Sequence, residues 1–272
     1  MKFSIVTISY NQVEYIEESI NSVLNQRGVE LEYIVVDAGS SDGSRDIILR
    51  YADRINKIIF ENDEGPADGL NKGFSYATGD IYGYLNSDDI LFPGSLFKVQ
   101  QYFEKSKKPI DVISGHGFVI DKYSIPKYKI FSNKLKNNNF FLKRYTLGLS
   151  ILVQPSTFIS KSAFFKVNSF DKTFKVMWDA ALTVDLLLAE CNFVVVNEYF
   201  SGFRIYPTSI TGSKTQLQAK GKFEFERLRM RANVYVRDTL LISNYYRFIG
   251  WLLEPRLLFV RLLDGLFYNK RD

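Results

Sequence analysis

Residues 86–89, Asn-Ser-Asp-Asp, place two adjacent carboxylates beside an amide and a hydroxyl. These hard oxygen donors suit a divalent cation, and such a cation suits phosphate. Asp88 can hold a cation that bridges phosphates. Capping of a helix opened by Pro93 would engage one of the two acids and leave the other over. Another carboxylate, Asp37, ends the apolar run LEYIVVD and can accept from the donors of a base or ribose. Thr7 to Tyr10 end a further run, in which the Tyr10 ring can stack on a base. Asp37 could instead form a turn or cap a helix, but its place at a strand end favours binding. An aromatic, a lone carboxylate and a metal cluster on one edge would make a nucleotide pocket.

That pocket needs a scaffold that brings three strand ends together. Residues 3–9 alternate and are β-branched, as in a central strand. Asn11 can cap a helix from about Val13 to Asn25, with Ile16, Ile20, Val23 and Leu24 buried. Strand 31–36 follows, then a small-residue turn, and Asp42 or Ser44 can cap the next helix. After a short strand at 57–60, Pro66 opens a helix over 66–78, and Gly79 supplies a left-handed stop before strand 81–85. Strands alternating with helices predict a parallel, doubly wound α/β sheet, with ligands at its carboxyl edge. Further on, the pattern predicts a helix from Pro93 and paired strands over 112–121 broken at Gly115–Gly117. The basic segment 122–143 reads as a mobile loop or lid, followed by a strand over 154–160 and a helix from Trp178 to Glu190. Strands at 193–196 and 199–205 and a basic helix over 215–238 complete the pattern.

The chain of 272 residues is 46% hydrophobic and 15% aromatic, which marks a globular protein and excludes a disordered one. One cysteine, Cys191, excludes a disulfide framework and fits a reducing compartment. The first residues run straight into a strand pattern with no apolar leader core, so the expected location is cytoplasmic. No apolar window is long enough to span a bilayer. A net charge of +5 points weakly to an anionic partner.

The run VTISYN, then VVDAGSSDGS, then DGLNKGFSYATGD followed by LNSDD, resembles the family 2 glycosyltransferases of the GT-A fold. The resemblance spans residues 3–92, continues more loosely to about residue 210, and leaves 213–272 uncovered. It implies a Rossmann-like, mostly parallel central sheet flanked by helices. Residues 1–212 would form the catalytic domain, 1–105 its nucleotide-sugar half and 106–212 its acceptor half. Residues 213–272 would be a basic, amphipathic helical extension. The resemblance assigns Thr7, Ser9, Tyr10, Asp37, Asn86 and Ser87 to the nucleotide sugar, usually a uridine one. Asp68 and Lys72, on the helix of the donor side, would meet hydroxyls and a phosphate; a solvated surface lysine is the equal alternative for Lys72. LNSDD matches the metal-binding Asp-x-Asp motif, but Asn86 stands at its first acidic position. Asp88 is thus the expected ligand of Mn2+ or Mg2+.

The resemblance also implies an acid at the start of a helix below the donor sugar, to take the acceptor's proton. Asp179, in VMWDAALTVDLLLAE, is that candidate, with Asp185 as its rival and Asp171 a weaker one. The family often carries a second acid two residues after the first, where this sequence has Ala181. Trp178 could stack on a sugar or sit in the core. His116, between two glycines, reads as a turn histidine or as a contact to donor or acceptor. Gln154 falls in a segment similar to one near the family's acceptor site, and Arg204 could balance the diphosphate charge.

Residues 240–268 are apolar and aromatic, punctuated by arginines. On a helix over 256–267 the charges fall in one sector, which suits either an interfacial helix on anionic lipid or one packed on the protein. The basic stretch from Lys220 to Arg237 tilts the reading toward peripheral contact with the inner face of the membrane. The expected protein is an inverting, metal-dependent glycosyltransferase of surface-polysaccharide assembly. Its partners would be a nucleotide-sugar donor, UDP-linked by resemblance, and a glycan or lipid-linked acceptor. No nucleic-acid partner is expected, and an oligomer is left open. The rivals are a nucleotidyltransferase, which would need a glycine- and lysine-rich loop after strand one, and a non-catalytic sugar- or nucleotide-binding module.

Overall fold

Strand β1 (Lys2–Ser9) is buried from Phe3 to Thr7, the pattern of a strand covered on both faces. It pairs in parallel with β2 (Glu30–Asp37) and β4 (Ile81–Asn86), and β2 pairs in parallel with β3 (Lys57–Phe60). Beyond β4 the sheet turns mixed. β8 (Thr157–Ser160) is antiparallel to β4, and β6 (Val112–Ile120) is antiparallel to β8. β9 (Phe193–Arg204) is parallel to β6, and β5 (Ile90–Leu91) closes that edge antiparallel to β9. The strand order is β3-β2-β1-β4-β8-β6-β9-β5, with β7 (Pro126–Ile130) paired to β6. The computed structural model describes the chain except residues 135–136, 150–151, 210–211, 213, 235, 237–239 and 254–272. The helix expected over 256–267 lies outside the described residues.

Alternation along the strands divides the core into two layers. Phe3, Ile5, Tyr33, Val35, Ile81 and Leu85 face a layer built with α1 (Ile16–Leu24), α2 (Ser44–Arg50) and α4 (Ser95–Lys105). Val6, Ile34, Val36, Tyr82 and Tyr84 face the other layer, built with α3 (Pro66–Phe74), α5 (Asn138–Thr146), α6 (Lys161–Lys166) and α7 (Trp178–Leu188). In α8 (Lys214–Ala232), Leu228 and Ala232 join this second layer with Trp178 and Ala181. The extension expected to begin at 213 thus shares the hydrophobic core of this layer in its first helix. A second helix, α9 (Leu240–Leu253), packs Ile242 and Tyr246 on a small cluster around Leu147, Leu149 and Val236.

Close approach explains Gly73 of α3, where an added Cβ would lie 2.4 Å from Val6 Cγ1. At the amino end of β2, Glu32 accepts from Lys2 Nζ (2.8 Å), Ser4 Oγ (2.5 Å) and the Thr78 amide and hydroxyl (2.7 and 2.6 Å). Burial pushes its carboxyl up, but these bonds outweigh it and hold the group at about 2.

Several elements differ from the sequence reading. α1 starts at Ile16 with no side-chain cap, because Asn11 adopts a left-handed conformation (φ 52°) and bonds Ser40 and Ser41 instead. α3 stops at Phe74, and Gly79 is no left-handed stop: its missing Cβ admits Lys2 O and Ser4 N at 2.8 Å. Residues 112–120 form one strand, with the Gly115–Gly117 region absorbed as register shifts against β9. Residues 193–204 are likewise continuous, and 154–156 form a 3-10 turn before β8. The 122–143 segment is not a structureless lid, since it contributes β7 and the start of α5, capped by Asn137.

Candidate active site

The parallel register aligns the chemistry: Ser9 lies opposite Asp37, and Ile8 opposite Asn86. The strand ends open into a cleft of about 1550 Å³, whose wall includes Ser9, Tyr10, Asn86, Ser87, Asp88, Gln154, Trp178 and Asp179. These eight predicted residues meet at one cavity, which Arg204 also borders.

Asp88 and Asp89 divide the work at the end of β4. Asp89 is fully buried and accepts from the Arg204 amide (2.8 Å) and Asn86 Nδ2 (3.3 Å). It ties β4 to β9 and caps no helix; α4 begins after left-handed Gly94 without a side-chain cap. Asp88 faces the cleft, where its Oδ2 accepts from the Tyr206 hydroxyl (3.1 Å). Burial raises both carboxyls, and Asp89 is raised further by the charge of Asp88. Among the described residues no three His, Cys, Asp or Glu converge as a closed metal site. One cleft-facing carboxylate beside Asn86 and Ser87 fits a cation whose other ligands come with a diphosphate.

Arg204 sits behind this pair. Its guanidinium donates to the Asp88 carbonyl (2.7 Å), the Asp121 carbonyl (2.8 Å) and Glu18 Oε2 (2.7 Å), and stacks over Tyr15 at 4.8 Å. At 1% exposure it holds the 88–89 backbone in place and has little surface to offer a diphosphate.

Asp179 stands in the first turn of α7, where the helix dipole favours its charge. Burial nonetheless raises its carboxyl, outweighing the Ala180 amide bonded to it. The rivals point elsewhere. Asp185 pairs with Arg231 Nε (3.4 Å) and Asp171 with Arg231 Nη2 (2.8 Å), and neither lines the cleft. Trp178 is 5% exposed and packs on Tyr84 and Phe170, so its ring serves the core while bordering the cavity. Gln154 is tied to β4, accepting from Asn86 Nδ2 (3.3 Å) and donating to the Tyr84 carbonyl (3.2 Å). Ser9 Oγ is buried at the cleft with no partner among the described residues, a polar group left for a ligand.

Five expected residues do not reach the cavity. Thr7 lies beneath it, its hydroxyl accepting from Tyr33 OH at 3.0 Å. Asp37 is fully buried and accepts from the Gly39 and Ser40 amides (3.1 and 2.9 Å), Ser40 Oγ (2.5 Å) and Arg45 Nε (2.7 Å). A buried carboxylate must be satisfied internally, so Asp37 shapes the turn, and Ala38 and Gly39 reach the cleft in its place. Asp68 binds the Glu64 amide (3.1 Å), Lys172 (3.2 Å) and Lys72 (3.6 Å). Lys72 also donates to the Asn62 carbonyl. The two form an i,i+4 pair on a ridge of α3 turned from the cavity. His116 is 2% exposed in β6 between Phe131 and Tyr199 and does not line the cleft.

Sequence reasoning missed Asp63, whose carboxyl borders the cleft and is raised by burial. It follows β3 as Asp37 ends β2, so the strand-end argument applied to Phe60 would have found it. Tyr206 was also missed, and it lies two residues after Arg204 by the same logic.

The Glycosyl transferase family 2 profile matches residues 4–174, well over half of the chain. An uncharacterized glycosyltransferase of Nostoc sp. is 34% identical over 132 residues, covering 46% of this chain and 41% of that protein. The Escherichia coli UDP-Glc:alpha-D-GlcNAc-diphosphoundecaprenol beta-1,3-glucosyltransferase WfgD is 30% identical over 213 residues, covering 78% of this chain and 80% of its own. The crystal structure of S. aureus TarS 1-349 in complex with UDP-GlcNAc superposes with a TM-score of 0.64 at 19% identity. That overlap covers 90% of this chain and 70% of TarS 1-349, and it shows the shared fold. With the strand-end motifs of β1, β2 and β4 inside the matched segment, the chain belongs to glycosyl transferase family 2, the family 2 glycosyltransferases.

Proposed function

We propose that the protein is an inverting glycosyltransferase that moves one sugar from a UDP-linked donor to a hydroxyl of a lipid-linked glycan. The observation that carries this reading is the placement of Asp88 and Asp179 on one cleft, from elements ~90 residues apart in sequence. Of the residues lining the cleft, Ser9, Tyr10, Asn86 and Ser87 would meet the nucleotide sugar, and Gln154 and Trp178 the acceptor. Asp88, with Asn86 and Ser87, would hold Mn2+ or Mg2+, which supplies charge neutralisation for the departing diphosphate. Asp179 takes the proton of the acceptor hydroxyl as that oxygen attacks the anomeric carbon. The new C–O bond forms on the face opposite the leaving diphosphate, so one displacement inverts the centre. Burial makes Asp179 a stronger proton acceptor than an ordinary carboxylate, which suits this role.

A lipid-linked acceptor is supported by similarity to the E. coli enzyme, whose name specifies a diphosphoundecaprenol substrate. No described helix is long and apolar enough to cross a membrane. α9 instead exposes Leu241, Tyr245, Phe248 and Leu252 in one stripe, while Arg247 of the same helix borders the cleft. An apolar stripe on a helix that reaches the active cleft suits peripheral contact with an anionic lipid surface.

The test is a screen of nucleotide sugars for UDP or GDP release with Mn2+ or Mg2+, comparing wild type with Asp88→Ala and Asp179→Ala. Transfer that depends on the metal and is lost in both variants is expected. Wild-type rates in both would overturn the assignment.

A further inference from the structure

α8 grips the segment that leads into the proposed base. Glu224 is 5% exposed, and its carboxylate accepts from three consecutive amides: Lys175 (2.7 Å), Val176 (2.9 Å) and Met177 (2.8 Å). α7 begins at the next residue, Trp178, and has no side-chain cap of its own. The first amides of a helix lack internal partners, and an anion is favoured there. Glu224 places an anion at this entry from another helix, binding the Met177 N-cap amide and the two amides before it.

Two further residues of the same face extend the grip. Arg227 donates to the Thr173 carbonyl (3.1 Å) and hydroxyl (2.5 Å), and Arg231 bonds Asp171 (2.8 Å). Both guanidinium groups lie over the Phe174 ring, at 4.4 and 5.3 Å. Positions 224, 227 and 231 follow helical spacing, so one face of α8 holds the whole 171–177 segment. Asp179 lies two residues beyond the last amide that Glu224 binds.

We propose that Glu224 is a positioning residue for glycosyl transfer: by gathering the 175–177 amides it sets the entry of α7 and with it the Asp179 carboxylate. The inference rests on the reading of Asp179 as the base. It makes α8, which lies wholly beyond the family-matched segment, part of the catalytic unit. A small displacement of a reacting group is costly, so the expected effect falls on turnover and leaves the nucleotide side, built from β1 and β4, intact.

The test compares Glu224→Ala, Glu224→Gln and Asp179→Asn in the full-length chain, at a temperature below all unfolding transitions. The measurements are kcat and donor KM from pH 4 to 9, and UDP binding. Glu224→Ala should lower kcat roughly 10- to 100-fold, displace the acid limb of its pH profile, and leave donor KM and UDP binding within about twofold. Glu224→Gln keeps one acceptor oxygen and should recover part of the rate. If Glu224→Ala does not fold, Glu224→Gln decides alone, through a lowered kcat at unchanged donor KM. Wild-type kcat and acid limb in the Glu224 variants, with Asp179→Asn inactive, would overturn this inference and leave the base assignment standing. Losses of kcat matched by loss of UDP binding would reduce Glu224 to a general structural role. Full activity of Asp179→Asn would overturn both readings.

Discussion

Glu32 offers a test in which both size and sign follow from the structure. Its carboxylate clasps the amino end of β1 through Lys2 and Ser4 and the α3–β4 connection through Thr78, and is held at about 2 against an ordinary 4.5. At ~1.4 kcal/mol per unit, this difference is worth about 3 kcal/mol. Because the folded state lowers the value, the contribution is fully present above 4.5 and lost as pH falls through the window down to about 2. Glu32→Gln removes the charge while keeping one acceptor oxygen. It should cost about 2–3 kcal/mol at pH 7, on the order of 5–10 °C in Tm for a chain of this size. Urea unfolding of both proteins at pH 7, 5, 4 and 3 gives the measurement. Other carboxylates make both proteins acid-labile, but their effect cancels in the difference, which should shrink as pH falls below 4.5. A difference that stays constant from pH 7 to 3, or a Gln variant as stable as wild type at pH 7, would refute the reasoning.

Three further outcomes are expected. Asp179→Asn should lower transfer by roughly 10²–10⁴-fold, whereas Asp185→Asn, whose side chain faces Arg231, should keep most activity; single-turnover rates distinguish them. Burial raises the Asp179 carboxyl, so the acid limb of kcat should lie above the ordinary carboxylate range, and Asp179→Asn should be more stable than wild type at neutral pH, where the ionised form opposes folding. Gly73→Ala should cost about 1–3 kcal/mol in urea unfolding, since its Cβ would meet Val6 Cγ1 at 2.4 Å and push α3 from the sheet.

The resemblance and the alternation of strands and helices made the amino-terminal half legible. The parallel pairing of β1 to β4 and the placement of Ser9, Asn86 and Asp88 at one edge follow from βαβ geometry, whereas the order β3-β2-β1-β4 comes from the structure. The carboxyl-terminal half was read less well. Gly115–Gly117 looked like a break but lies within one strand, because pairing to β8 and β9 overrides local propensity. The basic composition of 122–143 likewise concealed β7, which gains its order by pairing to β6.

The sequence by itself determined which residues are chemically able to act, because residue type and strand-end position are local properties. Only the tertiary structure decided which of them do face the cavity. Asp37 and Asp88 both end strands, yet one is turned inward to Arg45 and the Ser40 turn while the other meets the cleft. Asp179 and Asp185 share one helix, and Arg231 from α8 is what separates them. Those outcomes depend on partners far away in the chain, and a buried charge goes where its partners are.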